Sequence, residues 1–324
     1  LLAVCPYSLF FDRMALVDSL LASFGLWSLV FGVLTVQHLR LDTSLLLGMT
    51  LGLGLLTKSP AIFFYLWQAI LAIFFIKKIN SQKCLKLLAL WAIAFVISQV
   101  MYNILRLGPN FHLVNSRNQD YLFSFSEFLT HPLNPLVRNL KITAGWLWFL
   151  LTPGLLWLII PAFFKNIRKI NLAILLLFLI PLFIQGSVAK VYTSRYLLFA
   201  VVPLVSLFAI TLSSLRNKVV VIFSLLVPFL LSVWQIYNPI TVPLPREMKY
   251  GYLEEWTAGW GQKEIGLYLK ELASKGIHAV VGTEGFFGSL PDGLQIYTQN
   301  LPNITVIGSP WPVENVPSSL TNSL

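Results

Sequence analysis

Charge is what this sequence has least of. Asp, Glu, Lys and Arg make up 11% of its 324 residues, against about 25% in soluble globular domains, which excludes an ordinary water-soluble protein. Cysteine is nearly absent. Cys5 and Cys84, each inside or beside an apolar run, permit neither a disulfide framework nor a thiolate metal cluster. Among the four histidines, His38 and His278 show no ligand spacing, and internal repeats and low-complexity tracts are missing. The opening Leu1-Leu2-Ala3-Val4-Cys5-Pro6 lacks the basic segment and small-residue cleavage site of a signal peptide. It starts inside an apolar stretch, so the sequence reads as part of a longer protein, with material expected at both ends.

What fills the chain is apolar: 56% hydrophobic residues and a mean hydropathy of +0.75. A bilayer core about 30 Å thick requires ~20 such residues per helix. Runs of that kind fall near residues 19–37, 60–76, 87–105, 142–164, 171–186, 196–213 and 219–237. A shorter Gly-rich run, Leu45 to Leu56, fits a short or broken helix packed closely on its neighbours. Counting the run at 1–11, about eight helices are expected over 1–237, with a long outer loop over 107–141 whose aromatic residues suit a helix lying in the membrane interface.

Basic residues set the expected orientation. Residues 1–237 hold 18 Lys and Arg against five Asp and Glu, whereas 238–324 hold five against eight. Clusters at Lys77, Lys78, Lys83 and Lys86, at Lys165, Arg168 and Lys169, and at Arg216 and Lys218 alternate with the other connections, so all three can be cytoplasmic. The basic excess then needs no nucleic-acid partner. A multi-pass protein of the plasma (inner) membrane follows, with residues 238–324 outside. That region reads as a small extracytoplasmic α/β tail: an amphipathic helix over Gln262–Lys275 with Ile265, Tyr268, Leu269 and Leu272 on its apolar face, short strands at Ile277–Val281 and Ile304–Ile307, and turns at Pro291-Asp292-Gly293 and Leu301-Pro302-Asn303.

Four basic residues break the orientation rule by lying in short outward connections: Arg13, Lys58, Lys190 and Arg195. Ionisable groups at membrane depth are costly and mark function by default, and these suit an anion such as a lipid-linked phosphate at the outer leaflet. The alternative for each is a side chain snorkelling to the headgroups. Asp12 and Asp18 accompany Arg13 at the mouth of the 19–37 helix. Asp12 could orient a sugar hydroxyl, act as a base or neutralise Arg13, but is expected first to cap that helix, while Asp18, too deep to cap, is expected to pair with a buried partner or to orient substrate. Trp256 and Trp260 flank Gly259 as either sugar-stacking or interfacial aromatics. Asn303-Ile304-Thr305 matches a glycosylation sequon.

Three segments carry a family resemblance. Phe11-Asp12-Arg13-Met14-Ala15-Leu16-Val17-Asp18, then Leu55-Leu56-Thr57-Lys58-Ser59-Pro60, then Thr193-Ser194-Arg195-Tyr196-Leu197-Leu198 followed by Pro203, resemble successive motifs of GT-C membrane glycosyltransferases. The nearest groups are the bacterial protein O-mannosyltransferase-like and aminoarabinose transferase-like enzymes. Residues 251–261 and 284–291 resemble tails seen in the same group. The resemblance implies an all-α polytopic bundle of the GT-C type that moves one sugar from a polyprenyl-phosphate donor to a protein hydroxyl, lipid or glycan. Lys58, Arg195 and Tyr196 would contact the phosphate, Arg13 would be a further contact, and Asp18 would be a structural or substrate-orienting acid. The family's catalytic acid lies in a first outer loop, expected upstream of Leu1, so this chain alone is expected to be inactive. No cofactor is evident, and a divalent metal stays open. Expected partners are the lipid-linked sugar, its acceptor and membrane lipids. A transporter or lipid flippase, and a lipid-linked glycan polymerase or ligase, are the competing readings.

Overall fold

The computed structural model describes residues 1–76, 80–109, 111–112, 119–130, 133–164, 168–254, 258–286, 288–310 and 320. Lys77, Lys78, Lys165 and Trp256, singled out above, lie outside them. The chain divides into two compact units, Leu1–Tyr237 and Asn238–Leu324.

Among its described residues the regular structure of the first unit is helical, apart from an isolated bridge between Leu122 and Ala189. In chain order it contains α1 (Pro6–Asp12), α2 (Asp18–His38), α3 (Leu41–Thr57), α4 (Phe63–Phe75), α5 (Ser81–Asn103), α6 (Phe125–Thr130), α7 (Asn134–Leu150), α8 (Thr152–Leu156), α9 (Ile159–Ala162), α10 (Arg168–Val188), α11 (Leu198–Ser214) and α12 (Lys218–Tyr237). Among the described residues five helices are long and apolar enough to cross a membrane: α2, α5 with its extension to Leu107, α10, α11 with its leading turn, and α12. A bent pair would make a sixth span, and α3 and the Ser59–Phe75 segment are shorter apolar helices. Their composition and length are those of a multi-pass membrane protein.

Helix α11 forms the core. Leu198 through Val205 are buried without interruption, and Phe199 meets Phe63, Phe64 and Trp67 of α4 at ring separations of 5.9, 5.8 and 5.7 Å. Trp67 then donates its indole N–H to the Leu177 carbonyl of α10 at 2.9 Å, because a buried indole needs a partner. Only 22% of the apolar window of α5 or of α12 is buried inside the structure, against 67% for α11. Leu88, Phe95, Val96 and Val100 on α5, and Ile222, Phe223 and Phe229 on α12, are exposed accordingly. Those are the surfaces that lipid would cover.

Helix α3 is the short, closely packed form of the two expected for the Gly-rich run: it has 17 residues without a break, and its glycines serve contact. A side chain at Gly48 would begin 2.9 Å from the Ala94 backbone carbonyl of α5, so only glycine permits this approach. Ser44 reinforces it by donating to the Leu90 carbonyl at 2.6 Å.

The helix expected over 142–164 is broken instead. After Leu150 the chain bends by 99° into α8 and α9, with Thr152 at φ +65°, a left-handed conformation rare for a β-branched residue. Thr152-Pro153-Gly154 supplies the reason. Proline at the start of α8 cannot continue the hydrogen-bond ladder of α7, and Gly154 lies against the Ser224 carbonyl of α12, 2.8 Å from where a side chain would begin. Trp157 secures the new direction with a 3.0 Å bond to Ser224 Oγ.

The second unit contains α13 (Arg246–Lys249), α14 (Gln262–Ser274), β1 (Ala279–Glu284), α15 (Asp292–Thr298) and β2 (Ile304–Ser309). The two strands are parallel, in register from Ala279 opposite Ile304 to Glu284 opposite Ser309. Parallel strands require a crossover, and α15 supplies it. Pro291-Asp292-Gly293, expected as a turn, therefore opens a helix, with Asp292 near its positive end. Leu269, Leu294, Ile304 and Val306 form the core. The apolar face of α14 is rotated from the expected one: Leu269 is buried and Leu272 and Ala273 pack beside it, while Ile265 and Tyr268 are exposed.

Replacing Gly48 with Leu is expected to separate α3 from α5 and destabilise the first unit by about 1–3 kcal/mol. Thermal unfolding in detergent checks this against Gly145→Ala, where a new Cβ meets nothing within 4 Å and the midpoint should hold.

Candidate functional site

The site is assembled from three connections. Asp18 is the first residue of α2, at the positive end of that helix. Lys58 stands alone between α3 and α4 in extended conformation, φ −165°, followed by a turn over Ser59–Ile62 with Pro60 near its start. Proline disfavours helix in the residue before it, which helps end α3 close to Lys58. The return into α4 is tight: a side chain at Gly54 would begin 2.9 Å from the Phe64 ring. Arg195 and Tyr196 lie in the turn Ser194–Leu197 that leads into α11.

These side chains converge. Lys58 Nζ lies 2.6 Å from Asp18 Oδ1, with Asp18 buried and the Lys58 side chain 23% exposed. The same ammonium sits 4.4 Å from the Tyr196 ring centre, and the Arg195 guanidinium carbon lies 5.2 Å from it. One aromatic ring thus touches two cations, and Arg195 is near enough to repel Lys58. Tyr7 of α1 sets the position of the turn by donating from its buried hydroxyl to the Ser194 carbonyl at 2.5 Å.

Arg13 and Asp12 are engaged elsewhere. Arg13 Nη1 donates to the Gln235 carbonyl of α12 at 2.6 Å. Asp12 does not cap α2, whose N-cap position is Val17. It ends α1 instead and accepts from Ser8 and Ser19, each at 2.5 Å, joining the two helices across the Arg13–Val17 bend. Asp18 has the buried partner expected of it.

Lys190 has a third task. Its ammonium lies 3.4 Å from Glu127 and 5.5 Å from the Phe123 ring centre. Its backbone N–H donates to the Tyr121 carbonyl at 2.8 Å, and Phe123 N–H donates to the Val188 carbonyl at 2.8 Å. The segment 121–130 is thereby strapped to the connection that carries Tyr192 and Arg195. The Ser124 N–H and hydroxyl, followed by Lys190, hold the Glu127 carboxyl below its ordinary value of 4.5. Next to the strap, Tyr192 shares a 2.8 Å hydrogen bond with Thr143 of α7 and stacks on Trp146 at 5.2 Å. Burial pushes the Tyr192 phenol up to about 12, so it stays protonated at neutral pH.

Tyr7, Tyr192 and Thr143 escape sequence reasoning, because their partners are remote in the chain and no local pattern announces them. Among the described residues no group of three or more His, Cys, Asp or Glu side chains could hold a metal ion. Chemically, the cluster can bind an anion through Lys58 and Arg195 while Asp18 holds the ammonium in place.

Replacing Asp18 with Asn should destabilise the first unit strongly, since breaking a buried pair costs roughly 3–5 kcal/mol and the exposure of Lys58 favours the lower end. The exposed Asp12→Asn should cost far less in the same thermal-unfolding series. The strap should respond to acid. Because the Glu127 carboxyl is lowered in the fold, its contribution is present above its ordinary value and is lost as pH falls through the folded one. The hydrogen-exchange protection factors of residues 121–130, corrected for the slower intrinsic exchange in acid, should therefore fall between pH 7 and pH 3.5, and Glu127→Gln should remove that fall.

No protein-family model, curated protein or solved structure matches this chain.

Proposed function

We propose that this chain is the donor-binding part of an integral membrane glycosyltransferase. It takes a single sugar from a polyprenyl-phosphate carrier at the outer leaflet of the plasma membrane and passes it to a protein hydroxyl, lipid or glycan. The second unit lies on the same outer side. The observation that carries this reading is the convergence of Lys58, Arg195 and Tyr196 from two separated connections beside Asp18. Two cations beside a single carboxylate favour the approach of a further anion. A phosphate is well suited, because Arg grips it bidentately and Lys adds a point charge.

Within this reading the chain's own residues hold and orient the donor. Lys58 and Arg195 stabilise the negative charge that grows on the departing lipid phosphate. Asp18 keeps the ammonium aimed at that position, and Tyr196 offers both cations an aromatic face. Because Asp18 is bound to Lys58, its part is positioning, and none of the residues assigned here takes the proton from the acceptor.

One observation favours a second reading, a transporter or flippase: the 99° break between α7 and α8, since interrupted helices line substrate paths in secondary transporters. Lys58→Gln and Arg195→Gln, made separately in the intact protein in nanodiscs, distinguish the two. Each should weaken binding of a polyprenyl-phosphate sugar by roughly 10- to 100-fold, the equivalent of a charge-assisted hydrogen bond worth about 1.5–3 kcal/mol; Arg195→Gln should retain expression and unfolding temperature, whereas Lys58→Gln, which leaves the buried Asp18 unpaired, should also lower the unfolding temperature. Unchanged binding would overturn the assignment. Carrier translocation without sugar transfer would favour the flippase.

A further inference from the structure

We infer that the second unit carries its own carbohydrate-binding site, shaped for one neutral pyranose ring, with Trp260 as its platform. Every residue of it belongs to that unit. A cavity of about 330 Å³ opens beside the start of α14, lined by Trp260, Gln262, Lys263, Glu264 and Tyr297 together with small residues around Gly259. Small-molecule sites span roughly 300–1,000 Å³, so this cavity, at the small end of that range, suits a single ring and not an extended chain.

Trp260 is held yet open. Its indole N–H donates to the Leu253 carbonyl at 2.6 Å, which fixes the ring, while 68% of the residue remains exposed. Gly259 and Gly261 on either side adopt φ of +76° and +84°, left-handed values that glycine takes without strain. The turn presenting the ring is therefore specific. A large aromatic that is immobilised but left in solvent has already lost most of the freedom that binding would cost it. Its exposed apolar face matches the C–H face of a sugar ring.

The polar lining suits hydroxyls. Gln262 is tied at its amide by a 2.6 Å bond to the Ser289 carbonyl. A side chain at Gly293 would collide with Gln262 Oε1, and one at Gly266 would begin 2.6 Å from Tyr297 Cβ, so the floor between α14 and α15 is closely packed. Lys263 and Glu264 bring one charge of each sign to the rim, a balance that favours a neutral sugar over an acidic or amino sugar.

The test uses the full chain in phosphatidylcholine nanodiscs, with methyl α-mannopyranoside, methyl β-glucopyranoside and methyl β-galactopyranoside as probes in saturation-transfer NMR. At least one should bind saturably, with the strongest transfer to the ring C–H protons. Trp260→Ala should weaken that binding at least tenfold, Trp260→Phe should retain it within about threefold, and an excess of polyprenyl phosphate should leave it unchanged. Failure of the phosphate reading would thus leave this site standing. If none of the three sugars saturates, or if Trp260→Ala binds as well as the parent, the inference is overturned. Quenching of Trp260 by brominated lipids without sugar binding would overturn it in favour of a bilayer contact.

Discussion

The ion pair between Lys58 and Asp18 is the constraint around which the first unit is arranged. An ammonium in so apolar a bundle is tolerable only beside a carboxylate, and that carboxylate is favoured where it stands, at the positive end of α2. Meeting it obliges α3 to end at Thr57, the chain to turn tightly past Gly54, and α4 to descend against Phe199 of α11. The start of α11 then delivers Arg195 and Tyr196 to the same place. One pairing therefore relates four helices to each other, and the candidate site is the point at which they agree.

The charged cluster of this region is unusually legible in the amino-acid sequence, because bilayer physics makes exceptions conspicuous. A lysine in a short connection of a chain with 11% charged residues stands out by its placement alone. So does an acid at the mouth of an apolar helix, and these two residues meet, although Asp18 proves to be the first residue of α2 and not one turn inside it. Arg13 and Lys190 stand out equally, but their partners are a backbone carbonyl on α12 and the 121–130 strap, and charge placement alone does not separate a clustered cation from a fastening one. Asp12 misleads because a carboxylate before a helix has the composition of a cap. Its actual neighbours, Ser8 and Ser19, lie on both sides of a bend that periodicity does not reveal.

Details of the fold escape the sequence where two local signals compete. Thr152-Pro153-Gly154 is a strong turn signal inside an apolar run of spanning length; the length argues for one helix, and the proline breaks it. Pro291-Asp292-Gly293 carries the marks of a turn and equally those of a helix start. The need to connect two parallel strands decides between them. On α14, Ile265 and Tyr268 satisfy helical periodicity, yet the core uses Leu269 with Leu272 and Ala273, because the sheet and α15 set which stripe is covered.

The unequal burial of the spanning helices separates duties within the bundle. Lipid would meet α5 and α12, whereas α11, which carries Arg195 and Tyr196 at its leading end, is enclosed by protein. A bilayer that thickens, thins or changes its acyl chains would act first on the outer helices, which can tilt to accommodate it. The cationic cluster is thus set against protein and not against lipid: its geometry is referenced to α4, α10 and Tyr7.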